Sequence, residues 1–151
     1  MSLEKDINQT KFRNEHQKAI INQIYTYYWL SEKLKVFFDR FNITPQQYNI
    51  LRILRGAGKP ISTLQIRQRM LDKMSDTSRI VDRLIIKDLV KKVTCKTDKR
   101  LVDISISDKG SKLLDKTDEY AIELDAVFGN LSESEAKALN KLLDRIRHAD
   151  Q

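Results

Sequence analysis

Apolar and polar positions along the chain sort into a series of helical rhythms interrupted by one stretch of strand-like alternation. From Asn8 to Phe41 there is no proline or glycine, and Ile20, Ile24, Tyr27, Leu34, Phe38 and Phe41 follow a three-four spacing. That spacing predicts one long helix, preceded by a frayed segment over 1–6. Ile21, Tyr25, Tyr28 and Trp29 widen the apolar stripe beyond what a single amphipathic helix buries against its own chain, so this helix is expected to pack against a second chain. Thr44-Pro45-Gln46-Gln47 is a capping box with proline at the first helical position. It opens a second helix with Tyr48, Leu51, Ile53 and Leu54 inward, ended by Gly56-Ala57-Gly58.

Residues 60–106 read as two short helices and a charged hairpin. Ser62 followed by Gln65 is another capping box, predicting a helix from Thr63 to about Leu71-Asp72 with Leu64, Ile66 and Met70 inward. Ser75 is the expected cap of the next helix, in which Ile80, Val81, Leu84 and Ile85 recur through about Lys87. Asp76, Thr77, Ser78, Arg79 and Arg83 fall off that stripe, giving the helix a polar, cationic outer face. Val90–Thr94 and Leu101–Ile106 are β-prone, and the loop Cys95-Lys96-Thr97-Asp98-Lys99-Arg100 between them carries three cations. Two short helices with a basic hairpin behind them suit a winged helix-turn-helix that reads double-stranded DNA. Beyond the hairpin, Ser107-Asp108-Lys109-Gly110 starts a helix expected to reach Phe128. Ser132-Glu133-Ser134-Glu135 then caps a last helix with Ala136, Leu139, Leu142, Leu143 and Ile146 on one side.

Charge sharpens this picture. Residues 59–100 hold 12 Lys and Arg against 5 Asp and Glu, net +7, which equals the net charge of the whole 151-residue chain. The preceding segment is +4 and the following one −4. Positive charge gathered on the proposed reading head is what counterion release from DNA rewards. With 40% apolar and 32% charged residues the composition is that of a soluble globular protein. No apolar run is long enough for a membrane helix, and the polar 1–18 segment has no signal-peptide pattern. One cysteine forms no internal disulfide, consistent with a reducing cytoplasm. His16 and His148 lie far apart without a metal-ligand pattern, and no phosphate-cradling glycine loop or nucleophile elbow is present. No cofactor and no enzymatic activity are expected.

The run Ser75-Asp76-Thr77-Ser78-Arg79-Ile80-Val81-Asp82-Arg83-Leu84, then Asp98-Lys99-Arg100, then Ile106-Ser107-Asp108-Lys109-Gly110, resembles the MarR family of winged-helix transcriptional regulators. The chain departs from the family pattern at Asp88, where glycine is usual, and in a wing loop without proline. The resemblance implies a mostly α fold with a small β-hairpin wing: a winged domain over 43–107 between dimerisation helices at 1–42 and 108–151. It implies a homodimeric, ligand-responsive repressor acting on an inverted-repeat operator. Thr77, Ser78, Arg79 and Arg83, with Ser75, would face bases or phosphates from the second helix of the motif. Ser62, Thr63 and Gln65 would hold phosphate, and Lys96, Lys99 and Arg100 would serve the wing. Asp82 and Arg100 match an aspartate–arginine pair that sets the wing's angle. A small amphipathic or phenolic ligand would bind between the dimerisation helices and the winged domain, with Tyr25, Tyr28, Trp29 and Tyr48 as candidate walls. Cys95, beside Lys96, is expected to be an ordinary thiol. A winged-helix protein-interaction module and a non-specific structural DNA binder remain as alternatives.

Overall fold

The computed structural model describes residues 2–94, 96–98 and 102–148. Two helices open the chain, α1 (Leu3–Asp6) and α2 (Glu15–Asp39), followed by α3 (Pro45–Ala57), the short strand β1 (Ile61–Ser62), α4 (Thr63–Arg69) and α5 (Thr77–Ile86). The hairpin β2 (Val90–Thr94) and β3 (Val102–Ile106) comes next, then α6 (Asp108–Asp118), α7 (Ala121–Asp125), a 3-10 turn (Ala126–Phe128) and α8 (Glu133–Arg147).

Local signals set most helix starts. Thr44 and Gln47 exchange both bonds of a capping box, as do Ser62 with Gln65 and Ser132 with Glu135. Gly58 ends α3 in the left-handed conformation at φ 63°, a geometry that costs glycine nothing. Asp88 also sits left-handed at φ 57°, so aspartate does take the turn that the family usually gives to glycine.

The three strands pair antiparallel in the order β1-β3-β2. Ile104 at the centre of β3 faces Ile61 on one side and Lys92 on the other. One core lies beneath this sheet, built from Ile50, Leu51 and Leu54 of α3, Ile66 and Met70, Val81 and Leu84, Ile104, and Leu114 of α6. Phe37 and Phe38 extend it to the end of α2, where their rings meet edge-on at 5.0 Å.

Five expectations are corrected. The first helix begins at Glu15, where Asn14 accepts the Gln17 N–H at 2.9 Å, and Asn8 upstream sits at φ 52°, outside helical geometry. Residues 3–6 are not frayed: Leu3 is buried, and Glu4 pairs with Lys18 of α2. The α4 helix stops at Arg69 and leaves Leu64 63% exposed. Ile66 and Met70 are one turn apart and point inward, and Leu64, two residues before Ile66, is carried about 200° away. Asp76, not Ser75, caps α5. Finally, α6 ends at Asp118 instead of running to Phe128. Thr117 Oγ1 donates to the Leu114 carbonyl at 2.7 Å, a side-chain bond to the last turn of the kind that competes with the helical ladder.

Much of the chain's apolar surface lies outside the core. Ile20, Ile24, Tyr27 and Tyr28 on α2 stay more than half exposed, as do Ile122, Leu142 and Ile146 near the other end. Among the described residues no helix is long and apolar enough to cross a membrane, and no group of three or more His, Cys, Asp or Glu is placed to hold a metal ion.

Candidate nucleic-acid interface

The α4–α5 turn is built by one carboxylate. Asp72 accepts the Ser75 hydroxyl at 2.7 Å and the Met74 N–H at 3.0 Å. These bonds, the Ser75 hydroxyl first, hold the Asp72 carboxyl below the ordinary aspartate range. Asp76 then accepts the Arg79 N–H at 3.1 Å, satisfying one of the free donors at the helix start. With Val81 and Leu84 held in the core, Ser78, Arg79, Asp82 and Arg83 stand outward as two adjacent rows one turn apart.

Thr77 does not join them. It is 4% exposed, and its hydroxyl has no hydrogen-bond partner among the described residues. Falling four residues before Val81, it shares the buried stripe instead of the outer face. Ser75 is engaged in the turn, and Ser62 and Gln65 are engaged with each other as the α4 cap at 3.0 and 3.2 Å. Thr63 is half-buried beside them.

The wing hairpin carries exposed Lys91, Lys92 and Lys96. Lys99, Arg100 and Cys95 lie outside the described residues, and with them the expected Asp82–Arg100 pair. Among the described residues, Lys92 Nζ lies 4.0 Å from Asp82, a loose contact between α5 and the wing that is worth little at such exposure. Arg67 was not singled out from the sequence, yet it lines a groove of about 470 Å³ between α4 and the start of α5, with Leu64, Met74 and Ser78. With Leu64 read as inward, the spacing put Arg67 on the same side and gave no signal for it.

The four candidate ligand aromatics are not brought together. Tyr48 stacks on Phe38 at 4.3 Å against the core. Tyr25 and Trp29 line a shallow cleft with α1 and Lys18. Tyr28 is exposed, its ring edge-on to Tyr27 at 5.5 Å. The aromatic that reaches the space between α2 and the reading head is Tyr27. It lines a cavity of about 690 Å³ with Leu34, Lys35, Asn49, Met70 and Lys73. Asn49 Oδ1 also accepts the Leu71 N–H at 2.9 Å, so a wall of this cavity is bonded to the residues that start the α4–α5 turn.

A capped recognition helix, a helix packed across it and a basic hairpin beside them define a winged helix-turn-helix regulator of transcription. The model of the MarR family matches residues 41–101, and that stretch is similar to the family. MhqR, an HTH-type transcriptional regulator of Bacillus subtilis, is 26% identical over 119 residues, covering 78% of this chain and 81% of that protein. A mutant MarR from E. coli complexed with operator DNA superposes at a TM-score of 0.79 and 20% identity, over 91% of this chain and 99% of the other. An organohalide-sensing transcriptional regulator in its 2,4-dichlorophenol-bound form gives 0.82 and 17%, over 94% and 87%. The two structural likenesses are likenesses of fold.

Proposed function

We propose that this regulator is a cytoplasmic homodimeric repressor that binds an inverted-repeat operator and releases it when a small amphipathic or phenolic molecule binds. The observation that carries the DNA contact is the outer face of α5, where the Asp76 cap presents Ser78, Arg79 and Arg83 within the segment of net charge +7. Arg79, in the first turn, is suited to a bidentate bond with a guanine edge. Ser62, Thr63, Gln65, Lys96, Lys99 and Arg100 are assigned to phosphate and wing contacts.

Three units share the work: 1–42 and 108–151 as the dimer base, 43–107 as the reading head. The exposed apolar faces near the two ends of the chain support that division, because each loses water only against a second copy. Two recognition helices related by a two-fold axis would read half-sites about 34 Å apart. The cavity beneath Tyr27 supports the ligand site. A molecule seated there between α2 and the Asn49–Leu71 bond would favour one separation of the two heads and so change operator affinity by linkage.

Fluorescence anisotropy on duplexes from the gene's own upstream region and on scrambled duplexes, at two salt concentrations, tests the reading. The expected result is a preference for an upstream duplex that Arg79→Ala reduces by tenfold or more, about 1.4 kcal/mol. Equal, steeply salt-dependent binding to both duplexes would replace it with a non-specific binder. Binding to neither would leave a protein-interaction module, and a monomer by light scattering would remove the coupling mechanism.

A further inference from the structure

The groove between α4 and α5 pairs two exposed apolar side chains with the most basic part of the molecule. Leu64 is 63% exposed at the second position of α4, and Met74, in the turn, is 93% exposed. Both line the same groove as Arg67 and Ser78. Helix register gives Leu64 no place in the core, because Ile66 and Met70 already occupy the buried side. A polar residue would serve the fold equally well there, so the apolar choice answers to something outside the chain. A lone exposed leucine needs no explanation. A leucine and a methionine in one groove, beside the first turn of the recognition helix and rimmed by Arg67, Ser78 and Asp76, do.

Charge selects the occupant. A partner seated over a segment of net +7 is an anion, and the anion whose grooves fit α5 is duplex DNA. A second copy of the chain is the poorer fit, since it would bring the same positive charge and the apolar faces suited to it lie on α2 and α8. Within the major groove the apolar feature is the C5-methyl of thymine. We propose that Leu64, with Met74 beside it, receives a thymine methyl, which makes Leu64 a specificity-determining residue at a position the polar side chains of α5 do not read. The proposal rests on the DNA-binding reading above.

Deoxyuridine isolates the methyl, since it differs from thymidine by that group alone. A preferred duplex is first selected from a random pool with the full-length protein. Each thymine is then replaced singly by deoxyuridine, and affinity is measured by anisotropy for wild type and Leu64→Ala. One thymine in a half-site should weaken wild-type binding about fourfold when its methyl is removed, the worth of one buried methyl group. Leu64→Ala should lose a similar factor on the thymine duplex and be indifferent to the replacement, with its melting temperature unchanged. Wild-type binding that no replacement weakens overturns the proposal while leaving the DNA-binding reading intact. Equal weakening in Leu64→Ala assigns the methyl to another residue and also overturns it. Failure to select any duplex over random sequence defeats both readings, and that failure appears at the first step.

Discussion

Replacing Gly110 with alanine should unseat the wing from the helix that follows it. Gly110 lies in the first turn of α6, where a Cβ would sit 2.2 Å from the Leu89 carbonyl oxygen and 2.9 Å from Ile106 Cγ1. Non-bonded carbon and oxygen do not approach that closely, so α6 or the strand base must move by roughly 1 Å in an interior that is close-packed. The movement strains two bonds at once: Ser107 N–H to the Leu89 carbonyl at 3.1 Å, and Gly110 N–H to the Ser107 hydroxyl at 3.0 Å. Overpacking costs about 1–3 kcal/mol, and a weakened cap about 1 more. Alanine's better helix propensity offsets roughly 1. The net loss is about 1–3 kcal/mol, a lowering of Tm by roughly 2–12 °C for a chain of this size. Circular dichroism at 222 nm reads it, with wild type and variant at one protein concentration. Gly56→Ala is the control, since nothing lies within 4 Å of the added Cβ, and it should leave Tm unchanged or raise it slightly. If Gly110→Ala melts with the wild type, the close approach of α6 to Leu89 is not a constraint and the reasoning fails.

Thr77→Val removes a buried hydroxyl that lacks a partner among the described residues, so it should raise stability by up to about 1 kcal/mol. DNA affinity should stay within twofold in the same variant; a large loss of binding would return Thr77 to the reading face. Because the Asp72 carboxyl is held below its ordinary range by Ser75 and Met74, the stability it lends the α4–α5 turn is complete above about pH 4, the unfolded aspartate's pKa. It is lost as pH falls through the lower folded value. The Met74 and Ser75 amide resonances should therefore hold their positions to below pH 4 and shift only further into acid, and a transition centred at the free-aspartate value would contradict this. Arg55 bonds Asp118 at 2.8 Å and Asp115 at 3.4 Å, with Arg52 also on Asp118 at 3.4 Å, tying α3 to α6. At this exposure Arg55→Met should cost roughly 0.5–1 kcal/mol in urea denaturation, less at high salt. A loss that salt does not change would mean the ion pairs are not its cause.

What could be read directly from the residues was whatever neighbours in the chain decide. The capping boxes at Thr44, Ser62 and Ser132 need only two residues three apart, and each starts a helix where that spacing placed it. The β-branched runs flanking the wing loop likewise formed strands, and Asp88 took its left-handed turn. Order and type of element follow from such local chemistry. Which side of each element faces the core does not. Leu64 and Thr77 traded expected places, the apolar leucine outward and the polar threonine inward, because the register of α4 and α5 is set by Ile66, Met70, Val81 and Leu84 meeting α3 and the sheet. Tyr27, counted on the α2 stripe, faces the cavity between α2 and the reading head. Leu3 is buried where α1 folds back on α2, and Glu4 beside it pairs with Lys18. A hydroxyl or an aromatic ring carries its chemistry in its own atoms, but its direction is fixed by packing between elements far apart in sequence, and only the tertiary structure decides that.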